Sequence, residues 1–184
     1  MNALDALHNR TSVPKLTDPA PSGESLQNIC KAALRAADHG VLRPWRFLLI
    51  TGDSRLRLGN LFVEAALATD PSTDQVVLDR LRQKPLRAPL LIVSISTHRN
   101  NPKVPEFEQD LSTAAATQNM LIAAYAQGIG AFWRTGSMAY DPIVKNGLGL
   151  SNNEKIIGFL YLGQQDCATR RLADPNVSEY FQCW

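Results

Sequence analysis

The sequence predicts an α+β fold, a central mixed sheet flanked by helices in one sandwich-like domain of 184 residues. Three observations carry this. Arg46 to Thr51 and Pro89 to Ile95 are compact apolar runs, continuous rather than alternating, as buried strands are. Helical spacing is clear at Leu26, Ile29, Cys30, Ala33 and Leu34, which fall at i, i+3, i+4, i+7 and i+8. The alanine-rich segment from Pro105 to Gly128 is the longest helix candidate, and with few strands around it a layered sandwich fits better than a doubly wound sheet.

The elements follow in order. Ala3 to His8 is a short helix with Leu4 and Leu7 on one side, and Thr17 to Pro21 is a proline-rich connector. Ser22 suits the N-cap of the next helix, which should stop near Asp38-His39-Gly40, where the glycine accepts a left-handed turn. After the first strand, Asp53 or Ser54 caps a helix that turns Leu58, Leu61, Phe62, Ala65 and Ala66 inward. Thr69 to Thr73 is a loop, and Val76, Val77 and Leu81 mark a helix ending before Pro85. Small residues on most faces of the Pro105 to Gly128 helix imply close packing on several sides. Ile129 to Arg134 is a third strand, Asp141-Pro142 opens a short helix, and Lys155 to Leu162 is a fourth strand closed by Gly163. The tail from Gln164 to Trp184 reads as irregular.

Composition narrows the function classes. A net charge of +2, with both signs mixed along the chain, offers no basic stripe for nucleic acid. No apolar run reaches the ~18 residues of a membrane span. Met1-Asn2-Ala3-Leu4-Asp5 has an early acid and no apolar core, unlike a secretory signal. Cys30, Cys167 and Cys183 are too few and too widely spaced for a disulfide framework or a zinc site, so a reduced, cytoplasmic setting and no metal are expected. The chain has no G-x-G-x-x-G and no Walker A pattern, and none of its three histidines lies near a cysteine in sequence.

Two short stretches carry chemistry. Arg10-Thr11-Ser12 follows the first helix, and a guanidinium fork beside hydroxyl and backbone donors suits a phosphate. Arg-Thr-Ser is a weak motif by itself, and spacing alone favours a helix-end arginine beside a turn-forming serine. Trp133-Arg134-Thr135 ends a strand, where Arg134 suits a carbonyl or ring-nitrogen edge and equally a surface acid. Between them lie Arg35 and His39, four residues apart and so a candidate cationic corner, and Pro44 with Trp45, which suit either the wall of a planar ring or a turn and a core aromatic. Glu106, Glu108 and Asp110 open the long helix and suit its dipole.

Six segments in order resemble the nitroreductase family of flavoproteins, in its small NAD(P)H nitroreductase branch. They are Asn9-Arg10-Thr11-Ser12, Ala36-Ala37-Asp38-His39 with Pro44-Trp45, Arg87-Ala88-Pro89, Ala126-Gln127-Gly128-Ile129-Gly130, Trp133-Arg134-Thr135-Gly136, and Gly158-Phe159-Leu160-Tyr161-Leu162-Gly163. The resemblance implies an α+β homodimer with FMN at the interface, bound by Arg10, Thr11 and Ser12 of one subunit, with Arg35, His39, Pro44 and the Trp133-Arg134-Thr135 segment divided between the two. Thr11 stands where the family commonly has Arg or His, and Arg43 where Gln often precedes Pro-Trp. The stretch matching Ala123 to Gly128 is sometimes assigned to the nicotinamide cofactor, and a helix C-cap at Gly128 explains it equally. Lys15 lies close to the position of a flavin-edge lysine in larger relatives, and its role stays open.

The resemblance implies an FMN enzyme that takes hydride from NAD(P)H and reduces nitroaromatic or quinone-like acceptors at one site used twice. The flavin then carries the chemistry and no acid–base dyad is needed. A flavin reductase or dehalogenase-like reductase on the same fold, or a protein that binds FMN without turnover, are the alternatives.

Overall fold

The computed structural model describes residues 1–168 and 172–184. Its elements run α1 (Ala3–Asn9), β1 (Leu16–Thr17), α2 (Gly23–Ala33), β2 (Trp45–Thr51), α3 (Asp53–Thr69), α4 (Gln75–Gln83), β3 (Leu90–Thr97), α5 (Glu106–Ala126), β4 (Gly130–Arg134), α6 (Ser137–Tyr140), α7 (Pro142–Gly147) and β5 (Glu154–Gln165), with 3-10 turns at His39–Val41, Lys84–Arg87 and Val177–Glu179. No helix among the described residues is long and apolar enough to cross a membrane.

β5 organises the sheet. Its residues Leu160 and Leu162 face Ile92 and Leu90 of β3 on one side and Trp133 and Ala131 of β4 on the other. β1 pairs with its end at Gln164 and Gln165, and β2 pairs with β3. All four pairings are antiparallel, which corrects the expected mixed sheet. The reason lies in the crossovers. The helix pair α3–α4 returns the chain to the end it left, so β3 runs against β2. The single helix α5 makes β4 run with β3, but β5 lies between them, so the two parallel strands never share hydrogen bonds.

Helices cover both faces. Leu91, Val93, Ile95, Phe159 and Tyr161 pack with Leu58, Phe62, Leu78 and Leu81 of α3 and α4. Leu90, Ile92, Leu160 and Leu162 pack with Ile29 and Ala33 of α2 and Met120 and Ala124 of α5. Two covered faces explain why β3 reads as an unbroken apolar run, each such side chain contributing about 1.5–3 kcal/mol on burial. The bulge between Ser94 and Ile95 of β3 skips Ile157 and turns Ile156 onto the same face as Phe159. β2 has the same sequence texture but forms the sheet's edge, and Leu49 is exposed. Its expected burial is corrected by the lack of a second neighbouring strand.

Two helices depart from expectation. α2 ends at Ala33 rather than near Asp38, because its last turn tightens into bonds from Arg35 N–H to Ala32 and from Ala36 N–H to Ala33. α5 buries Gln109, Thr113, Ala116, Thr117, Met120 and Ala124 along one face, yet Phe107 and Leu111 stay exposed on another. Gly128 terminates α5 with a φ of 72°, the left-handed cap its sequence suggests. The tail is ordered further than expected, since β5 runs through Gln165. Positions 169–171 of it lie outside the described residues.

One polar cluster ties three strands together. The buried Glu154 accepts two bonds from Arg46 (2.6 and 2.8 Å), one from the Thr97 hydroxyl (3.0 Å) and one from the Ser151 N–H (2.9 Å). These donors, Arg46 foremost, hold its carboxyl at about 2, below the ordinary 4.5. The folded state therefore gains stability above pH 4.5 and loses it as pH falls toward 2. Urea unfolding at stepped pH should show that loss in the native protein. Glu154→Ala should cost about 1–3 kcal/mol at neutral pH and flatten the acid slope, because the part-exposed Arg46 loses its carboxylate and keeps only the Gly149 carbonyl (3.2 Å).

Candidate functional site

The Arg10 segment is anchored at both ends. The Arg10 N–H closes α1 on the Ala6 carbonyl (3.2 Å), and the Val13 N–H donates to the Ala131 carbonyl of β4 (2.9 Å). Thr11 is thereby buried and Ser12 exposed, both lining a cavity of about 570 Å³ with Pro14, Phe132 and Cys167. Lys15, beyond this cavity, forms an exposed ion pair with Asp166 at 3.3 Å.

A second cavity of about 390 Å³ adjoins it across the Phe132 ring. Arg134, Thr135, Lys84, Arg87 and Tyr161 line it. The Arg134 guanidinium lies 3.9 Å from the centre of the Phe132 ring and 5.6 Å from that of Tyr161, in cation–π contact with both. Burial, then the charges of Arg87 and Arg134, push the Lys84 ammonium below its usual range. Burial also lowers Arg134. Among the described residues none of these three cations has a carboxylate partner.

Among the described residues two guanidinium atoms here are buried without a hydrogen bond, Nη1 of Arg10 and Nε of Arg134, as is Nε1 of Trp133 on the opposite face of the strand. Buried donors and buried positive charge without partners are costly. They fit a ligand with anionic and acceptor-rich ends, one beside Arg10 and one beside Arg134.

The triplet Trp133-Arg134-Thr135 divides as strand geometry requires. Arg134 shares the face of Phe132, whereas the Trp133 indole packs on the α2–α5 side and covers Gly158. Arg35 and His39 do not share a helical face, which corrects that expectation, because α2 ends before either residue. Arg35 lines a separate groove with Lys31, Leu34, Arg43 and Trp45. The His39 ring pairs with Glu108 of α5 at 2.5 Å, so Glu108 does more than complement the helix dipole. Pro44 is buried and acts through its backbone, its carbonyl accepting the Thr113 hydroxyl and the Thr97 N–H, each at 2.9 Å.

Sequence reasoning missed Lys84, Phe132 and Tyr161 and gave Arg87 no role in the site. The signal was available in part. Arg87 opens one of the resembling segments, and Lys84 sits three residues before it on the same turn. Phe132 and Tyr161 face each other across β4 and β5, a pairing only the sheet register reveals.

The nitroreductase family model matches residues 7–164. The chain belongs to the nitroreductase family. It is 42% identical to "Putative NAD(P)H nitroreductase YdjA" of Escherichia coli (strain K12), with 89% of this chain and 88% of the relative covered. A nitroreductase-like family protein from Bacillus cereus has the same fold at a TM-score of 0.82 and 24% identity, covering 100% of this chain and 96% of that one. A nitroreductase with bound FMN from Bacteroides fragilis matches over the full length of both chains at a TM-score of 0.76 and 20% identity.

Within this nitroreductase fold, a Cβ at Gly158 would overlap the Trp133 indole nitrogen and approach the Arg134 carbonyl to 2.9 Å. Gly158→Ala should therefore cost about 1–3 kcal/mol by overpacking and shift the tryptophan emission. An unchanged melting temperature and spectrum would show that the indole does not depend on this cradle.

Proposed function

We propose that this nitroreductase-family chain is an FMN-dependent oxidoreductase. It takes reducing equivalents from NAD(P)H and passes them to nitroaromatic or quinone-like acceptors in a ping-pong sequence. It works as a homodimer with FMN at the interface. The observation that carries this reading is that, among the described residues, Nε of Arg134 is buried without a partner on one cavity, while Nη1 of Arg10 is equally orphaned next in sequence to Thr11 and Ser12, which line a second cavity sharing Phe132. A relative named as an NAD(P)H nitroreductase and a neighbour of the same fold that binds FMN support it.

FMN, when bound, supplies hydride acceptance and release. The chain's own residues bind and orient it. Arg10, with the hydroxyls of Thr11 and Ser12, takes the phosphate. Arg134 and Thr135 take the polar edge of the ring, with Lys84 and Arg87 adding positive charge there. Trp133 backs this strand from the opposite face. The lowered proton affinity of Lys84 is the expected state of a cation waiting for a negative group.

Arg35 and His39 lie away from these two cavities in one protomer, so they reach the same FMN only from a second copy. Two features favour that copy. Phe107 and Leu111 are exposed on α5, forming an apolar face that a partner would cover. Glu108, next to Phe107, holds the exposed His39 ring at that same end of the helix. Pro44 fixes the start of β2 beside Arg43 and Trp45.

The purified protein should absorb as a flavoprotein, bleach with NADH or NADPH under nitrogen, and recover colour when a nitroaromatic or quinone is added. Arg10→Ala should weaken FMN binding by about 1.5–3 kcal/mol, the worth of one charge-assisted hydrogen bond. A colourless protein that cannot be reconstituted with FMN overturns the reading.

A further inference from the structure

A charge cluster at the start of α5 lines neither flavin cavity. The ring of His98, just past β3, is buried, and each of its nitrogens faces a carboxylate of α5. Nε2 lies 2.6 Å from Asp110 and Nδ1 3.2 Å from Glu106. The Lys155 ammonium of β5 reaches the same two carboxylates, Asp110 at 3.3 Å and Glu106 at 3.7 Å. Burial opposes the charge on Asp110, yet the bonds it takes from His98 and Lys155 hold its carboxyl below the usual range. Gln109, buried one residue before Asp110, accepts the Arg99 N–H at 2.8 Å and donates to the Arg99 and Val104 carbonyls at 3.0 and 3.1 Å. The backbone beneath is fixed as well. The His98 N–H donates to the Asn153 carbonyl and the Asn153 amide to the His98 carbonyl, each at 2.8 Å.

The first turns of α5 are thereby clamped to the end of β3 and the start of β5. Pro105, at the N-cap of this 21-residue helix, makes no side-chain bond to the open N–H groups, so side chains beyond the cap must set how the helix enters. Glu108 stands two residues from each clamped acid and so leaves the helix on another side. There it pairs with His39, and both side chains are partly exposed. An exposed pair contributes too little to orient a helix. The direction of the Glu108 carboxylate is therefore inherited from the clamped side.

We propose that His98, Asp110 and Lys155 are positioning residues for the flavin site: they fix the rotation of the first turns of α5 so that Glu108 aims the His39 ring at the FMN of the second copy. The inference rests on the reading of His39 as a flavin contact, whereas the hold of the clamp on Glu108 does not. Releasing the clamp lets the first turns rotate. The carboxylate then moves, and the ring loses its partner, while the cavities at Thr11 and Arg134 are left as they were.

Asp110→Asn and Lys155→Met serve as variants. Asparagine keeps the shape and an acceptor for His98, and Lys155 is half exposed, so neither leaves a large hole. In FMN-loaded protein carrying labelled histidine, the His39 ring resonances should move in both variants as they do in Glu108→Gln, while those of His8 on α1 stay. The FMN dissociation constant should rise about fivefold in each clamp variant, the scale of one exposed charge pair. The double variant Asp110→Asn with His39→Ala should bind FMN no more weakly than His39→Ala alone, because both changes remove the same contact. Unmoved His39 resonances, equal movement of His8, or losses that multiply in the double variant would overturn the positioning role. Moved His39 resonances together with an unchanged FMN affinity for His39→Ala would instead sink the reading of His39 as a flavin contact, and with it the role of the clamp there.

Discussion

The insertion of β5 between β3 and β4 is the constraint on which the rest of the molecule depends. Through it β3 and β4, which run parallel because of the α5 crossover, each pair antiparallel with β5 and never with each other. It also puts β4 at the margin of the sheet, where the ladder leaves the Ala131 carbonyl free for the Val13 N–H. That single bond brings the chain's N-terminal segment beside a strand more than a hundred residues away. Thr11 and Ser12, which follow Arg10, and Arg134 come to line cavities that share Phe132 because this margin lies open to them.

Much of the fold was legible in the sequence because local rules and tertiary packing agreed. β3 reads as a buried strand and is one, since helices cover both its faces. The α5 stop at Gly128 follows from the left-handed geometry that glycine adopts easily. β2 misled for the same reason that β3 did not. An apolar run records what a strand is made of but not how many neighbours it has, and edge position is a property of the whole sheet. The early end of α2 was equally hidden. Ala32, Ala33, Ala36 and Ala37 would all continue a helix, and the chain turns because it must reach the sheet edge at Trp45.

The candidate site was legible in pieces. Arg10, Thr11, Arg134 and Thr135 stand out by residue type, and all but Arg10 line two cavities that share Phe132. Lys84 and Tyr161 do not stand out, because what distinguishes them is spatial. One lies on a turn that faces Arg134 and the other is its aromatic neighbour across the ladder. Arg35 and His39 looked like a pair on one helix and belong to two different environments, a cationic groove and a carboxylate on α5. Sequence spacing predicts adjacency only while the helix lasts.

The distribution of charge shows how such a site coexists with a stable fold. The acid and base that hold the strands, Glu154 and Arg46, pair with each other and with the Thr97 hydroxyl, the Ser151 N–H and the Gly149 carbonyl, and lie away from every cavity of the proposed site. Among the described residues the cations Lys84, Arg87 and Arg134 of the second cavity have no carboxylate partner. Leaving Arg10 and Arg134 partly buried without partners destabilises the empty fold, since desolvation is not offset by a counter-charge. A ligand that supplies the missing charge binds the folded state alone and returns that stability by mass action, about 4 kcal/mol when present at a thousand times its dissociation constant. The same unpaired groups that weaken the protein without ligand are therefore what make its binding of anions selective. Acids placed to neutralise them would strengthen the fold at the expense of the site.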